Sequence, residues 1–170
     1  MNAVKQGMGP IAAPDARLFI LGSLPGDASL VAQRYYAHPT NQFWRLLGEA
    51  LGEPLAGMDY DSRLARLKAR GVGLWDVVAS ATRAGSLDGA IRRAGLNPIE
   101  RLREDFPKLA GIAFNGGVAA RTGRKLLGGI SGVELIDLPS SSAAYTRPFA
   151  EKAAVWRLLS RFCAPGVSEA

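Results

Sequence analysis

Residues 18–26 read LFILGSLPG, a short apolar run that ends in a turn holding two glycines and a proline. The run has the length of a buried strand, and its glycine marks the end of that strand. The turn exposes backbone N–H groups beside a strand end, where they can hydrogen-bond a carbonyl oxygen or a developing anion. A plain connecting turn would have the same composition. The stretch alone therefore leaves both interpretations open.

Three further apolar runs alternate with helical patterns along the chain. They are GVGLWDVV (71–78), LAGIAFNGG (109–117) and VELIDL (133–138), each of which predicts a strand. The expected helix starts are Thr40 or Asn41, Asp61 or Ser62, Asn97, the segment 118–127, and Pro148. Strands that alternate with helices predict a mainly parallel sheet with helices on both faces.

Four loops follow the predicted strands, at residues 22–27, 75–77, 115–117 and 138–145. In parallel sheets of this kind, ligands bind outside the carboxyl ends of the strands. We therefore expect one site built from these loops. The last loop, LPSSSAAY, offers three serine hydroxyls and backbone amides that suit phosphate oxygens, although a flexible polar connection is an equal alternative.

Length and charge bound the class of protein. A chain of 170 residues predicts one domain, here a core over about 17–163 behind an N-terminal extension of about 15 residues. The net charge of +6 is compatible with a nucleic-acid partner, but a generally arginine-rich proteome would give the same value. The segment RTGRK (121–125) places Arg121, Arg124 and Lys125 together without a neighbouring acid, which favours contact with phosphates.

Several function classes find no support in the composition. A single cysteine excludes a disulfide framework and a four-cysteine metal site. With one histidine and no nucleophile placed by a motif, the sequence does not indicate a Ser-His-Asp triad. The glycine turn matches neither a Walker loop nor the dinucleotide fingerprint. No apolar run has the roughly 20 residues of a membrane span, and the N-terminus lacks the apolar segment of a signal peptide. We expect a cytoplasmic protein without metal, other cofactor or membrane contact.

The segment YYAHPTNQFW (35–44) holds four aromatic rings, the single histidine and Asn41. Phe43 and Trp44 fall on the apolar face of the following helix and are assigned to packing. Tyr36 precedes the helix in a loop, where its ring can stack on a planar ligand. Asn41 stands where a helix cap is expected, so a cap is its simplest role.

Taken together, GSLPG, YYAHPTNQFW, GLWDVV, FNG and LPSSS resemble the uracil-DNA glycosylase superfamily, and within it the hypoxanthine (deoxyinosine) DNA glycosylase branch. The resemblance covers roughly residues 17–160. It implies a three-layer α/β/α sandwich around a four-stranded, mostly parallel sheet. It also implies a glycosylase that removes deaminated bases, hypoxanthine and then uracil, from DNA after flipping them out of the stack. Because no lysine is placed for Schiff-base chemistry, we expect a monofunctional enzyme that does not nick the strand, and we expect a monomer.

The resemblance also implies roles for individual residues. Tyr36 matches the aromatic residue that stacks on the base, the Ser23 amide matches a contact to a base carbonyl, and Asp76 stands where relatives carry a base-reading asparagine. Gly22, Leu24 and Asn115 complete the implied base-binding set. Ser140, Ser141, Ser142 and Tyr145 match the loop that grips phosphates and wedges the duplex.

Two positions depart from the family pattern. Leu24 replaces the polar residue that handles water in relatives, and Leu138 replaces the histidine or asparagine that opens the second loop. The deoxyinosine branch uses the asparagine of the aromatic block instead, which implies a catalytic role for Asn41.

Alternatives remain open at this stage. Asp76 can accept a base N–H or be an ordered structural acid. A binding module that kept the fold and lost catalysis would explain Leu24 and Leu138. An enzyme that acts on free nucleosides fits less well, because a small substrate needs no phosphate-binding track.

Overall fold

A computed structural model describes residues 3–166 of the chain, in which strands and helices alternate. The strands are β1 (Val4–Gln6), β2 (Leu18–Gly22), β3 (Val72–Asp76), β4 (Val78–Thr82), β5 (Arg92–Leu96), β6 (Gly111–Asn115) and β7 (Glu134–Leu138). The helices are α1 (Asp27–Ala32), α2 (Phe43–Leu51), α3 (Tyr60–Ala69), α4 (Leu102–Asp105), α5 (Gly117–Leu127) and α6 (Phe149–Trp156). In this described part, no helix is both long and apolar enough to cross a membrane.

The central sheet has four strands in the order β3-β2-β6-β7, and each neighbouring pair is parallel. The register places Gly22 opposite Asp76 and Asn115 opposite Leu138. All four carboxyl ends therefore lie along one edge of the sheet, which confirms the predicted architecture.

Helices cover both faces of this sheet. Along β2, Leu18 and Ile20 enter the hydrophobic cluster that holds residues of α2, α3 and α6, while Phe19 and Leu21 enter the cluster that holds residues of α4 and α5. Such alternation is what a strand covered on two faces requires. The fold is the expected α/β/α sandwich.

A second, three-stranded antiparallel sheet in the order β1-β4-β5 was not expected. The run 71–78, predicted as one strand, is divided at Val77: β3 belongs to the central sheet and β4 to the small one. Because both halves are buried, hydrophobicity does not change at the boundary and the sequence shows no break there. The N-terminal segment, expected to be an extension, supplies β1, which pairs with β4.

Three predicted helix starts need correction. Gln42, not Thr40 or Asn41, is the N-cap of α2, and Asp59, not Asp61 or Ser62, caps α3 by accepting the Ser62 N–H. The expected helix at Asn97 is a 3-10 turn over Ile99–Arg101 that continues into the short α4. The Asn97 side chain does not cap it, because its amide donates to the backbone carbonyl of Asp76 instead.

Candidate functional site

A cavity of about 490 Å³ opens at the carboxyl edge of the central sheet. This volume lies in the range of small-ligand sites. The predicted catalytic and base-binding residues all line it: Gly22, Ser23, Leu24, Tyr36, Asn41, Asp76 and Asn115. The four residues predicted for the phosphate loop, Ser140, Ser141, Ser142 and Tyr145, line it as well. Sequence positions more than one hundred residues apart thus meet in one cavity.

One wall of the cavity is a chain of hydrogen bonds through Asn115, Ser141 and Asn41. The Ser141 backbone N–H donates to Asn115 Oδ1 at 2.9 Å, and Asn115 Nδ2 donates to Ser141 Oγ at 2.9 Å. Ser141 Oγ in turn donates to Asn41 Oδ1 at 2.8 Å. Asn41 Oδ1 also accepts the Phe43 backbone N–H at 3.0 Å.

The backbone N–H groups of Ser141 and Phe43 determine which atoms donate and which accept along these hydrogen bonds. A backbone N–H can only donate, so the atom that accepts from it must be the amide oxygen. Asn41 Oδ1 therefore has both its acceptor positions filled, and Asn41 Nδ2 has no partner among residues 3–166. Asn41 offers the cavity N–H donors and no acceptor.

The serine loop (residues 138–145), which carries Ser141, is held in place by hydrogen bonds from Gln42 and Lys152. The Gln42 N–H donates to the Ser141 carbonyl, and the Lys152 ammonium donates to the Ser142 carbonyl and to Gln42 Oε1. Lys152 is fully buried, and its pKa is lowered by that burial. This role could not be predicted from the sequence, because a lysine in a helix is ordinarily solvent-exposed.

The floor of the cavity is made by Gly22, Asp76 and Tyr36. An ideal Cβ on Gly22 would stand 2.6 Å from Asp76 Oδ1 and 3.0 Å from the Tyr36 hydroxyl oxygen. Both polar groups thus approach the backbone where only a glycine leaves room. The Tyr36 hydroxyl and Asp76 Oδ2 are buried and have no hydrogen-bond partner in the described part of the chain.

Asp76 is 3% exposed and has unusual electrostatics. Burial raises the pKa of Asp76 to about 7; the nearby Asp88 carboxyl adds to the rise and the Arg83 guanidinium opposes it. Burial also raises the pKa of Asp88, against the effects of a hydrogen bond from the Ser23 hydroxyl and of Arg83. Two carboxyl groups thus share one poorly solvated region.

The glycine turn is held by Arg83, a buried residue that the sequence did not single out. Its guanidinium donates to the backbone carbonyls of Leu24, Pro25 and Gly85. The Leu24 side chain packs in a hydrophobic cluster with Val78 and Ala81, so Leu24 contributes backbone to the site. Within residues 3–166, neither the Ser23 nor the Leu24 N–H has a hydrogen-bond partner.

Tyr36 has one ring face covered by protein. It stacks on Phe43 with 3.7 Å between ring centroids and 6° between planes. Its φ of +53° is rare for a large side chain. The Trp44 indole N–H, which donates to the Tyr36 carbonyl, helps to hold this conformation. The separation of Tyr36 from packing residues, expected from the sequence, is therefore wrong in part.

The basic cluster of α5 lies outside the cavity. Arg124 pairs with Asp137 of β7 at 2.9 Å, so it is not the acid-free cation that its sequence neighbours suggest. Arg121 lies nearer the site, because its Nη1 would stand 3.1 Å from a Cβ on Gly117 at the start of α5. Lys125 is exposed one turn beyond Arg121.

The segment 83–90 also borders the cavity, through Ser86, Leu87 and Asp88. This segment was not predicted to be part of the site, because a polar, glycine-containing stretch after a strand is typical of an ordinary connecting loop. No group of three or more histidine, cysteine, aspartate or glutamate residues suited to a metal occurs in the part of the chain that the structure covers.

Comparison with known proteins gives consistent matches. The family model of the uracil DNA glycosylase superfamily matches residues 10–160. A hypoxanthine DNA glycosylase of Methanosarcina acetivorans is 40% identical over 158 residues, which is 93% of this chain and 99% of the relative. A hypoxanthine DNA glycosylase of Methanosarcina barkeri is 43% identical over 112 residues, 66% of this chain and 71% of the relative.

A solved structure has the same fold. The solution NMR structure of a candidate uracil DNA glycosylase from Methanosarcina acetivorans superposes with a TM-score of 0.84 at 40% identity. The match covers 94% of this chain and 98% of that one.

Proposed function

The chain belongs to the uracil DNA glycosylase superfamily, and we propose that it is a monofunctional DNA glycosylase that releases hypoxanthine, and more slowly uracil, from DNA. The observation that carries this proposal is the cavity, in which an aromatic ring, a buried carboxyl and unpaired backbone donors meet the oriented amide of Asn41. A base reaches such a site only when it is flipped out of the duplex.

In this proposal the base stacks on the ring face of Tyr36 that Phe43 leaves uncovered. The Ser23 N–H donates to a carbonyl oxygen of the base, while Asp76 faces the neighbouring ring N–H. Adenine presents an amino group where hypoxanthine has its carbonyl, so two donors would meet and remain unpaired. This arrangement favours the deaminated base.

Asn41 holds the attacking water at the sugar. Its acceptor oxygen is occupied, so Asn41 orients the water by donating an N–H to it and does not take its proton. Glycosidic cleavage passes through an oxocarbenium-like sugar, which a positioned water can attack without a strong base. Preorganised donors of this kind act mainly by electrostatic stabilisation.

The serine loop and Tyr145 contact the DNA strand on either side of the flipped nucleotide. Ser140 and Ser142 have hydroxyls at the cavity rim, and Tyr145 is 47% exposed at the same rim. Serine hydroxyls and backbone amides are common phosphate contacts. An exposed aromatic ring can occupy the space that the flipped base leaves.

A binding module without catalysis is the second candidate. The observation that favours it is that Leu24 and Leu138, at the two positions where relatives carry polar groups, are buried in hydrophobic clusters. Neither side chain can polarise water. The two candidates differ in turnover and not in DNA binding.

The test uses duplexes with hypoxanthine, uracil, xanthine or adenine at one position, followed by alkaline cleavage of abasic sites. We expect cleavage at hypoxanthine, slower cleavage at uracil and none at adenine. Tight binding with every strand intact after alkali would identify the binding module. Strand breaks before alkali would contradict the monofunctional assignment.

A further inference from the structure

We propose that Asp76 works in its protonated form and is a catalytic residue that gives its proton to the departing base. This inference rests on the proposed function and deepens it, since it assigns the leaving group and its charge. Three features carry it: the surroundings of the Asp76 carboxyl, the charge of the described side chains that line the cavity, and the chemistry of purine departure.

The first feature is the lack of any partner that would stabilise a carboxylate. Neither Asp76 oxygen accepts a hydrogen bond from a described residue, and Oδ2 is completely enclosed. The titratable groups that interact with it electrostatically are the carboxyl of Asp88, the guanidinium of Arg83, and the hydroxyls of Tyr36 and Tyr35, of which the Tyr35 hydroxyl donates to the Gly9 carbonyl. Arg83 directs its donors to three backbone carbonyls. A pKa of about 7 for Asp76 agrees with this geometry.

The second feature is the charge of the cavity wall. Among the side chains that the structure describes (residues 3–92 and 94–166), two aspartates line the cavity and no lysine or arginine does. The buried ammonium of Lys152 lies behind the serine loop and donates to protein oxygens there. A base that left as an anion would therefore meet two carboxyl groups, while the donors of the Arg83 guanidinium are already used by backbone carbonyls, and such an anion is costly in a poorly solvated site. Such a cavity favours a base that leaves neutral.

The third feature is the match between a carboxylic acid and a lactam. A protonated carboxyl has one O–H donor and one acceptor oxygen side by side. Hypoxanthine presents O6, which accepts, next to N1–H, which donates. A neutral aspartic acid can therefore pair with both, as an acid held neutral in an apolar site can donate at neutral pH.

The step balances without a further reactant. The bond from C1′ to N9 breaks and its electron pair goes to N9, while the Asp76 proton goes to O6 and the base leaves neutral. Water adds to C1′, and its proton passes through solvent to restore the Asp76 carboxyl. The products are hypoxanthine and an abasic site.

The test is single-turnover release of hypoxanthine at a series of pH values from about 5 to about 9, which extends to both sides of the ordinary pKa of histidine. We expect a constant rate at low pH and a fall of about tenfold per pH unit above about pH 7, because the working form is the acid. A rate that rises through this range would overturn the proposal. His38→Gln should keep the fall, since His38 lines the rim and not the floor.

Asp76→Asn supplies the matched variant, because the amide keeps a donor and an acceptor but has no proton to give. We expect a loss of about 10²–10⁴ in rate on deoxyinosine, with duplex binding retained. A substrate methylated at N7 carries the positive charge already and releases a neutral base without a proton. On that substrate Asp76→Asn should lose less than about tenfold.

Thermal melts of each variant, with the exposed Asp105→Asn as the surface control, separate chemistry from folding. Equal losses on both substrates, or parental rates on deoxyinosine, would overturn the role of Asp76. If the parent protein itself releases no base from any duplex, the proposed function fails instead, and the two failures are thus distinguishable.

Discussion

The wall and the floor of the cavity differ in how their polar groups are satisfied. Along the wall, Asn115, Ser141 and Asn41 form a continuous chain of hydrogen bonds anchored at both ends on backbone N–H groups. At the floor, Asp76 Oδ2 and the Tyr36 hydroxyl are buried, and no described residue hydrogen-bonds to either. Both regions are polar, but along the wall only the Asn41 Nδ2 donors are left for a ligand, whereas at the floor a hydroxyl and a carboxyl oxygen are.

This difference separates two tasks. A chain whose acceptors are all engaged is rigid, so it can hold Asn41 in one orientation, with Nδ2 free, before substrate arrives. Unpaired buried groups cost free energy that a well-matched ligand recovers, so they are expected where a base is recognised. The wall is suited to orienting a reactant and the floor to reading one.

The largest effect is expected when the wall loses its free donors. Asn41→Asp keeps an oxygen that accepts the Phe43 N–H and the Ser141 hydroxyl, but it removes both Nδ2 hydrogens. We expect a loss of about 10²–10³ in single-turnover rate, because one preorganised donor has been removed.

The thermal melt of Asn41→Asp is the folding control, and turnover decides between a structural and a catalytic role. The structural role, in which Oδ1 accepts the Phe43 N–H and the Ser141 hydroxyl, needs only an acceptor oxygen, so the melt should stay close to that of the parent. Parental turnover in this variant would leave Asn41 with the structural role alone and remove the wall from the mechanism.

The buried carboxyl of Asp76 at the floor should make the free energy of unfolding depend on pH. The ordinary pKa of Asp76 is 3.8, and burial raises it to about 7 in the folded protein. Between these values the unfolded chain has lost its proton while the folded protein still holds it, so stability falls as pH rises. The slope of about 1.4 kcal/mol per pH unit gives a loss of about 2–3 kcal/mol from about pH 5 to about pH 7.

Asp76→Asn isolates this contribution, because Asp88 and Arg83 remain in place. The free energy of unfolding, measured by denaturant at each pH, should fall less steeply in the variant than in the parent. Identical pH profiles would mean that Asp76 ionises normally and that the floor is better solvated than its burial indicates.

Features of the fold and the site could be predicted where they depend on residues that are neighbours in the sequence. The strand ends at Gly22 and Asn115 carry glycine turns after apolar runs, so the sequence predicts the sheet, its parallel order and the edge where the site lies. The residues of the wall were expected too, since the family resemblance marks their segments.

The hydrogen bonds and ion pairs that these residues make were not predictable from the sequence. Ser141 reaches Asn41 across the fold, and Lys152 supports the loop from a helix that shows only a packing pattern. Arg124 has no acid near it in sequence, but the adjacent strand brings Asp137 to it. Contacts between distant segments, and the burial that shifts a pKa, arise from tertiary packing, which periodicity and spacing do not encode.

A smaller effect is expected from filling the floor. In Gly22→Ala the new Cβ stands 2.6 Å from Asp76 Oδ1, closer than real contacts allow, so the carboxyl or the strand must move. Overpacking of this kind costs about 1–3 kcal/mol. Affinity for a duplex with deoxyinosine and the melting temperature should both fall.

Gly57→Ala is the matched control, because no atom lies within 4 Å of its ideal Cβ. It should leave both properties within about 0.5 kcal/mol of the parent. Equal behaviour of the two variants would show that the floor has room to spare and that base recognition does not depend on its tight fit.

The smallest effect concerns α5, where the contrast between paired and unpaired groups recurs at the surface. Arg121 and Lys125 are four residues apart and share one face of the helix, whereas Arg124 is engaged by Asp137 and the Leu135 carbonyl. If free cations contact phosphates, Arg121→Ala and Lys125→Ala should each flatten the plot of log affinity against log salt by about one unit. Arg124→Ala should change that slope less, because its charge is already paired with a carboxylate.

The measurement is duplex binding over a salt series, with undamaged DNA so that the cavity does not contribute. A slope that responds most to Arg124→Ala would mean that the ion pair with Asp137 opens when DNA binds, and that pairing in the free protein does not predict which cations meet phosphate.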